Sequence, residues 1–330
     1  MNKSNYIKNL YRNINFNKKI NYNLENHFID NSILYQLRYI DNSVINYINK
    51  YIKYSFKINY NNTNIIINTK NNKIEKSLIN NVLNVIDNTR NLINNNKHLN
   101  IILYLTDLKK RFPKKKDTVL GPKNVNSGVT IHYNSEINNN GTIILYRKEE
   151  IIKVLIHEII HSFKCDYELF KEKYNKIFFK EFNFENDKYI NINESYVEIN
   201  ALIIFLIMKI KKNNEKLSKL NIYLNEEKKY SLMKMNQILN YYNINNLKGN
   251  ISFKQNSNIF SYYITKTGLL VKINEFLKFM ENINNLKIKN EDCVNYLNLI
   301  INTTNNLNNN YIKTYKKYEN NSLRMIYNHI

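Results

Sequence analysis

Hydrophobic positions along the chain gather in a few dense blocks, separated by stretches rich in asparagine. An unpartnered side-chain amide is costly in a core, so windows that lack asparagine are expected to be buried. The four longest such windows are Ile101–Lys123, Gly141–Tyr174, Ala201–Lys212 and Ile259–Ile273.

Within and between these blocks the spacing predicts elements. Residues 1–98 carry apolar positions at helical intervals, such as Ile33, Leu34, Leu37 and Ile40, then Val44, Ile45 and Ile48. That region is predicted to be mainly helical, interrupted by the β-rich stretch "NTNIIINTKN". A buried strand is expected to open Asn100–Pro113, an alternating strand to fill Ser127–Glu136, and a turn plus strand to fill Asn138–Glu150. Helices are predicted over Glu149–Phe163, Tyr167–Lys180 and Asn193–Ile210. From Asn213 onward the pattern is of amphipathic helices joined by asparagine-rich turns, and no fixed-period repeat is present. The expected fold class is α+β: a core at 99–212 with a small mixed sheet, flanked by helical regions at 1–98 and 213–330.

Composition changes this picture little. The formal net charge of +22 would ordinarily suggest nucleic acid or an anionic membrane. However, asparagine is roughly a fifth of the chain, lysine, isoleucine and tyrosine are abundant, and tryptophan is absent. An AT-rich genome produces that list without selection for charge. The densest basic run, "KKRFPKKK" at Lys109–Lys116, holds a proline and reads as a solvated turn. No nucleic-acid partner is therefore expected. Two cysteines, Cys165 and Cys293, make no disulfide framework and suit a reducing compartment. The first residues lack the apolar core of a secretory signal. The longest apolar run, Ala201–Met208, is far short of the ~20 residues of a membrane span. A soluble, cytoplasmic protein is expected.

The informative chemistry lies in "KVLIHEIIHSFKCDY", Lys153–Tyr167. It holds two of the six histidines, at His157 and His161. On a helix, positions four apart share one face, so both imidazoles can aim at one point. Glu158 is rotated ~100° from His157 and can reach a water held at that point. This H-E-x-x-H pattern is a zinc-hydrolase signature: two neutral imidazoles hold the metal and the carboxylate takes a proton from water. The competing reading is two core histidines satisfied by hydrogen bonds.

A catalytic zinc needs a third protein ligand and an open position. If the third ligand followed the metzincin pattern, residue 164 would be glycine and 167 histidine or aspartate; the residues are Lys164 and Tyr167, and Asp166 is one position off, so the chain does not resemble that branch. A later helix, "YININESYVEINALIIF", offers Glu194 as the ligand, with Glu198 one turn on as a support for a ligand histidine or as the ligand itself. On these motifs the chain resembles the gluzincin-type zincin metallopeptidases over about residues 100–212. It also resembles uncharacterised metallopeptidase-like proteins of large, AT-rich cytoplasmic DNA viruses. The zincin resemblance implies a core of edge strand, active-site helix and glutamate helix, with one catalytic Zn2+ held by His157, His161 and Glu194. It implies that Asn193 supports His161 and that Glu198, where aspartate is more usual, supports His157. Glu158 would be the general base.

The same resemblance implies that an extended peptide pairs with an edge strand. "SGVTIHY" holds the candidates Gly128, Val129 and Thr130, with Gly128 allowing close backbone approach and His132 in reach of the cleft. An oxyanion donor would follow the glutamate helix; Tyr262, Tyr263 and Lys266 are candidates, with Tyr327 and His329 behind them. Cys165 reads as a small buried apolar residue in preference to a fourth ligand. The expected function is thus a zinc peptidase acting on peptides or proteins. The alternatives are a catalytically inactive zincin-fold scaffold and a basic nucleic-acid-binding protein.

Overall fold

Isoleucine-rich runs build the centre of one six-stranded sheet: β1 (Glu25–His27), β2 (Tyr54–Tyr60), β3 (Thr63–Thr69), β4 (Leu99–Tyr104), β5 (Gly128–Ile131) and β6 (Gly141–Leu145). The structure, a computed structural model, describes residues 4–37, 39–115, 118–131, 141–184, 190–247, 253–307, 311–312 and 321–329. The strand order is β1-β2-β3-β4-β6-β5. β3, β4 and β6 run parallel, whereas the pairs β1/β2, β2/β3 and β5/β6 are antiparallel. With helices packed on the sheet and on one another, the fold is α+β.

The period of two decides which face each strand residue serves. Leu99, Ile101 and Leu103 of β4, with Ile143 and Leu145 of β6, join the main core under the helices Lys76–Ile93 and Ile151–Ser162. Ile102, Tyr104, Ile144 and Tyr146 face the other way. There they meet Leu34, Val44, Ile45 and Ile48, from the short helical turn Ser32–Gln36 and the helix Asn42–Tyr51. Residues 1–98 therefore supply half the strands as well as helices. The sheet runs across position 98/99, because β3 pairs with β4.

Asparagine has structural uses that its abundance hid. Asn61 and Asn62, both with positive φ (40° and 54°), turn β2 into β3; asparagine tolerates that left-handed backbone better than most residues. Asn94 and Asn183 close helices in the same conformation. Nor is asparagine confined to the surface. Asn88 is buried and donates to the carbonyls of Asn15 and Asn84, and Asn200 donates to the Tyr196 carbonyl while accepting from Tyr6. A buried amide with partners costs little.

The Asn-free block Ala201–Met208 is wholly buried, within the helix Ile192–Lys212. The helix expected over Tyr167–Lys180 is split into a short turn, Tyr167–Phe170, and a helix, Glu172–Phe182, because Lys171 adopts an extended ψ of 123°. Near the C-terminus, residues 321–329 bury Leu323, Met325, Ile326 and Asn328 and leave Asn321, Tyr327 and His329 exposed. Glu150 accepts from the N–H groups of Met325 and Ile326, and Glu227 from those of Tyr327 and Asn328. Lys110 closes a buried ion pair with Glu150 at 2.9 Å. No helix among the described residues is long and apolar enough to cross a membrane.

Candidate metal centre

Two helices make the site. The histidine helix, Ile151–Ser162, leaves β6 and packs under the sheet; every one of its residues is buried. The glutamate helix, Ile192–Lys212, packs against it. Both carry apolar residues around most of their circumference, as a helix enclosed on all sides requires.

At their crossing, three ligand-type atoms converge. His157 Nε2 and His161 Nε2 lie 3.0 Å apart. Glu194 Oε2 lies 3.3 Å from the first and 3.2 Å from the second. Tetrahedral bonds of about 2.0–2.1 Å place ligand atoms about 3.3 Å from one another, so the residues fit a zinc ion. Burial pushes the Glu194 carboxyl up, yet the charge of His161 and the hydrogen bonds from His157 and His161 outweigh it and hold it below the usual carboxylate range. Asn258 Nδ2 donates to Glu194 Oε1 at 3.0 Å, which reserves Oε2 for the histidines. Asn191 in turn donates to Asn258 Oδ1.

Glu198 is not a third-ligand substitute. Its Oε1 lies 3.0 Å from His157 Nδ1, on the far side of the ring from the convergence point. Its Oε2 accepts from Lys153 in a buried ion pair. Asn193 does not reach His161; its Nδ2 donates to Asp166 Oδ2 at 2.8 Å, and that carboxylate oxygen is the one beside His161 Nδ1. The short amide stops one residue away from the ring. Cys165 is buried and outside the cluster, and burial pushes its thiol up.

Glu158 sits beside the three converging residues with its carboxylate turned towards β5. Thr130 Oγ1 donates to Glu158 Oε2 at 2.7 Å. Gly128 faces the same side chain. A Cβ there would lie 2.4 Å from Leu145 Cδ2 and 3.1 Å from Glu158 Oε1. Its missing side chain makes room for the side chains of Leu145 and Glu158. Gly128→Ala is accordingly expected to destabilise the fold by about 1–3 kcal/mol, measured by urea unfolding, and to displace Glu158; unchanged stability would show that Leu145 moves aside freely. Val129, between them, packs against the second core cluster and also lines the cleft. His132 lies outside the described residues.

Among the oxyanion candidates, Tyr262 alone lines the cleft. Its ring centroid is 6.3 Å from that of His157, and it rises from a π-helical turn, Phe260–Thr265. Burial, then the negative charges of Glu194, Glu158 and Glu198, push its phenol well up. Tyr263 is turned away and donates to the Leu323 carbonyl; Lys266 donates to that of Met325 at 2.7 Å. Both are taken up by the segment 321–329. Tyr327 and His329 lie on that segment: the Tyr327 N–H goes to Glu227, and the His329 ring faces Arg324. Neither lines the cleft, a cavity of about 340 Å³ that also includes Tyr39, Asn126, Phe170, Asn191, Ser257 and Asn258.

The partner roles of Lys153, Asp166, Asn258 and Thr130 were not read from the sequence, Thr130 having been expected only to pair with a peptide. Lys153 had a visible signal, a lone lysine one turn before His157 in an apolar helix. Thr130 had one too, since alternation puts it on the same strand face as Gly128. Asp166 had none, because its position depends on how the chain reverses after the helix.

No family model matches the chain, and no solved structure matches it. It is similar to an uncharacterised protein of Acanthamoeba polyphaga mimivirus, at 28% identity over 250 residues, covering 70% of this chain and 57% of that protein. The chain thus spans little more than half the length of this viral relative.

Proposed function

We propose that this chain is a zinc-dependent peptidase with a zincin-like core. The observation that carries the reading is the meeting of His157, His161 and Glu194 within 3.3 Å of one another, next to Glu158 and an open cleft. Bound zinc supplies Lewis acidity, which polarises a carbonyl and acidifies water. Glu158, steadied at Oε2 by Thr130, takes a proton from the attacking water and passes it to the departing amine nitrogen. Tyr262, whose raised pKa keeps it protonated, donates to the oxygen on which negative charge develops. β5 is the last strand of the sheet, so its outer edge among the described residues is available to pair with an extended peptide.

The first test is metal uptake. The purified chain is expected to bind one zinc ion, and zinc at a hundred times its Kd to stabilise the fold by about 2.7 kcal/mol. A chelator should remove both that increment and any peptide hydrolysis. Elemental analysis and unfolding with and without chelator check this; no uptake of zinc defeats the reading. Duplex binding that falls with salt and ignores chelator would instead favour a nucleic-acid protein.

A further inference from the structure

We infer that Asp166 is the positioning residue of His161, and that Asn193 acts on the site only through it. This rests on the metal-centre reading above. Asp166 is fully buried. Its Oδ2 lies 2.8 Å from His161 Nδ1 and also accepts from Asn193 Nδ2 at 2.8 Å.

The local chain explains how a residue five positions after a histidine returns to it. The histidine helix ends at Ser162. Lys164 then takes a left-handed conformation, φ 55°, that a glycine would adopt at less cost. The Lys164 N–H bonds the His161 carbonyl at 2.8 Å, and the Cys165 N–H bonds the Ile160 carbonyl at 3.2 Å. That pair of bonds is the Schellman closure. It folds the chain back across the last turn and sets the Asp166 carboxylate beside His161 Nδ1. A lysine held in a glycine conformation is a local cost, and such costs gather where a side chain must be aimed.

A carboxylate behind an imidazole fixes the Nδ1–H tautomer, frees Nε2 for a ligand and makes that nitrogen a stronger donor. Glu198 stands in the same relation to His157. Both imidazoles are therefore backed by carboxylates. The resemblance implied a neutral amide, Asn193, on His161. Here the amide has moved one step back and anchors a charge in its place.

The experiment is a zinc-affinity cycle on the full chain, by competition with a chromophoric chelator. Asp166→Asn keeps the shape and loses the charge; it is expected to weaken zinc binding 10–100-fold. Asn193→Ala should weaken binding by less, and should cost nothing further in the Asp166→Asn background. The Nδ1 proton of His161, followed by NMR in the metal-free chain, should lose its downfield shift in Asp166→Asn, which a merely structural role would not require. Equal zinc affinity of Asp166→Asn and wild type overturns this inference while leaving the metal centre standing. So does an Asn193→Ala effect of the same size in both backgrounds. A wild type that takes up no zinc overturns both. If Asp166→Asn does not fold, Asn193→Ala decides: weaker zinc binding and a shifted His161 proton support the relay, and neither change overturns it.

Discussion

Glu158→Gln is expected to retain zinc and to lose peptide hydrolysis by about 10²–10⁴-fold in kcat, the usual contribution of a positioned general base. Retention follows from geometry, since none of the three converging atoms belongs to Glu158. Glutamine has nearly the same shape, so Thr130 can still donate to its side-chain oxygen, and Leu145 and Gly128 need not move. What is lost is the ability to accept a proton. KM should change little, because Glu158 is asked to act on the proton and not to bind substrate. Zinc content near one per chain with hydrolysis intact would remove Glu158 from the chemistry. Zinc bound in both forms with no hydrolysis in either would turn the reading towards an inactive scaffold.

The parts of this site that were legible in the sequence share one property: their geometry is set by a single helix. His157, Glu158 and His161 depend only on the helical repeat, and Glu194 and Glu198 only on being one turn apart. Which of the two glutamates faces the histidines depends on how two helices cross, and no periodicity carries that. The same holds for the oxyanion candidates. Tyr262 and Tyr263 are adjacent and chemically identical; a π-helical turn sends one to the cleft and the other to the Leu323 carbonyl. The partly buried segment 321–329 was invisible for another reason. Its backbone is satisfied mostly by side chains such as Glu150, Glu227 and Lys266, with a single bridge between Arg111 and Ser322, so it carries no strand pattern. The asparagine windows located core helices, but composition could not separate an amide that fills a loop from one that holds a carboxylate of the site, as Asn258 holds Glu194.

Lys153→Met should be the most destabilising single change near the site, by about 3–5 kcal/mol, the usual result of leaving one member of a buried ion pair alone. Lys153 and Glu198 are 1% and 3% exposed, so water cannot take the missing cation's place. Burial pushes the Glu198 carboxyl up; the charge of Lys153, then the hydrogen bond from His157, hold it well below the usual range. A carboxylate whose folded pKa lies below its unfolded one contributes stability that is complete above the unfolded value, about 4.3, and is lost as pH falls through the folded one. In Lys153→Met burial is left to raise the Glu198 carboxyl. The gap between wild type and variant should therefore be widest near neutral pH, begin to narrow as that stranded carboxyl takes up its proton, and keep narrowing as the pH falls through about 4. Replacing Glu198 as well, in Lys153→Met/Glu198→Gln, removes the stranded charge and should recover part of the loss. Urea unfolding of the metal-free proteins across that pH range provides the measurement. A gap that stays constant from pH 7 to pH 3 would mean that Lys153 acts by packing alone, and that the carboxylate behind His157 does not need its cation.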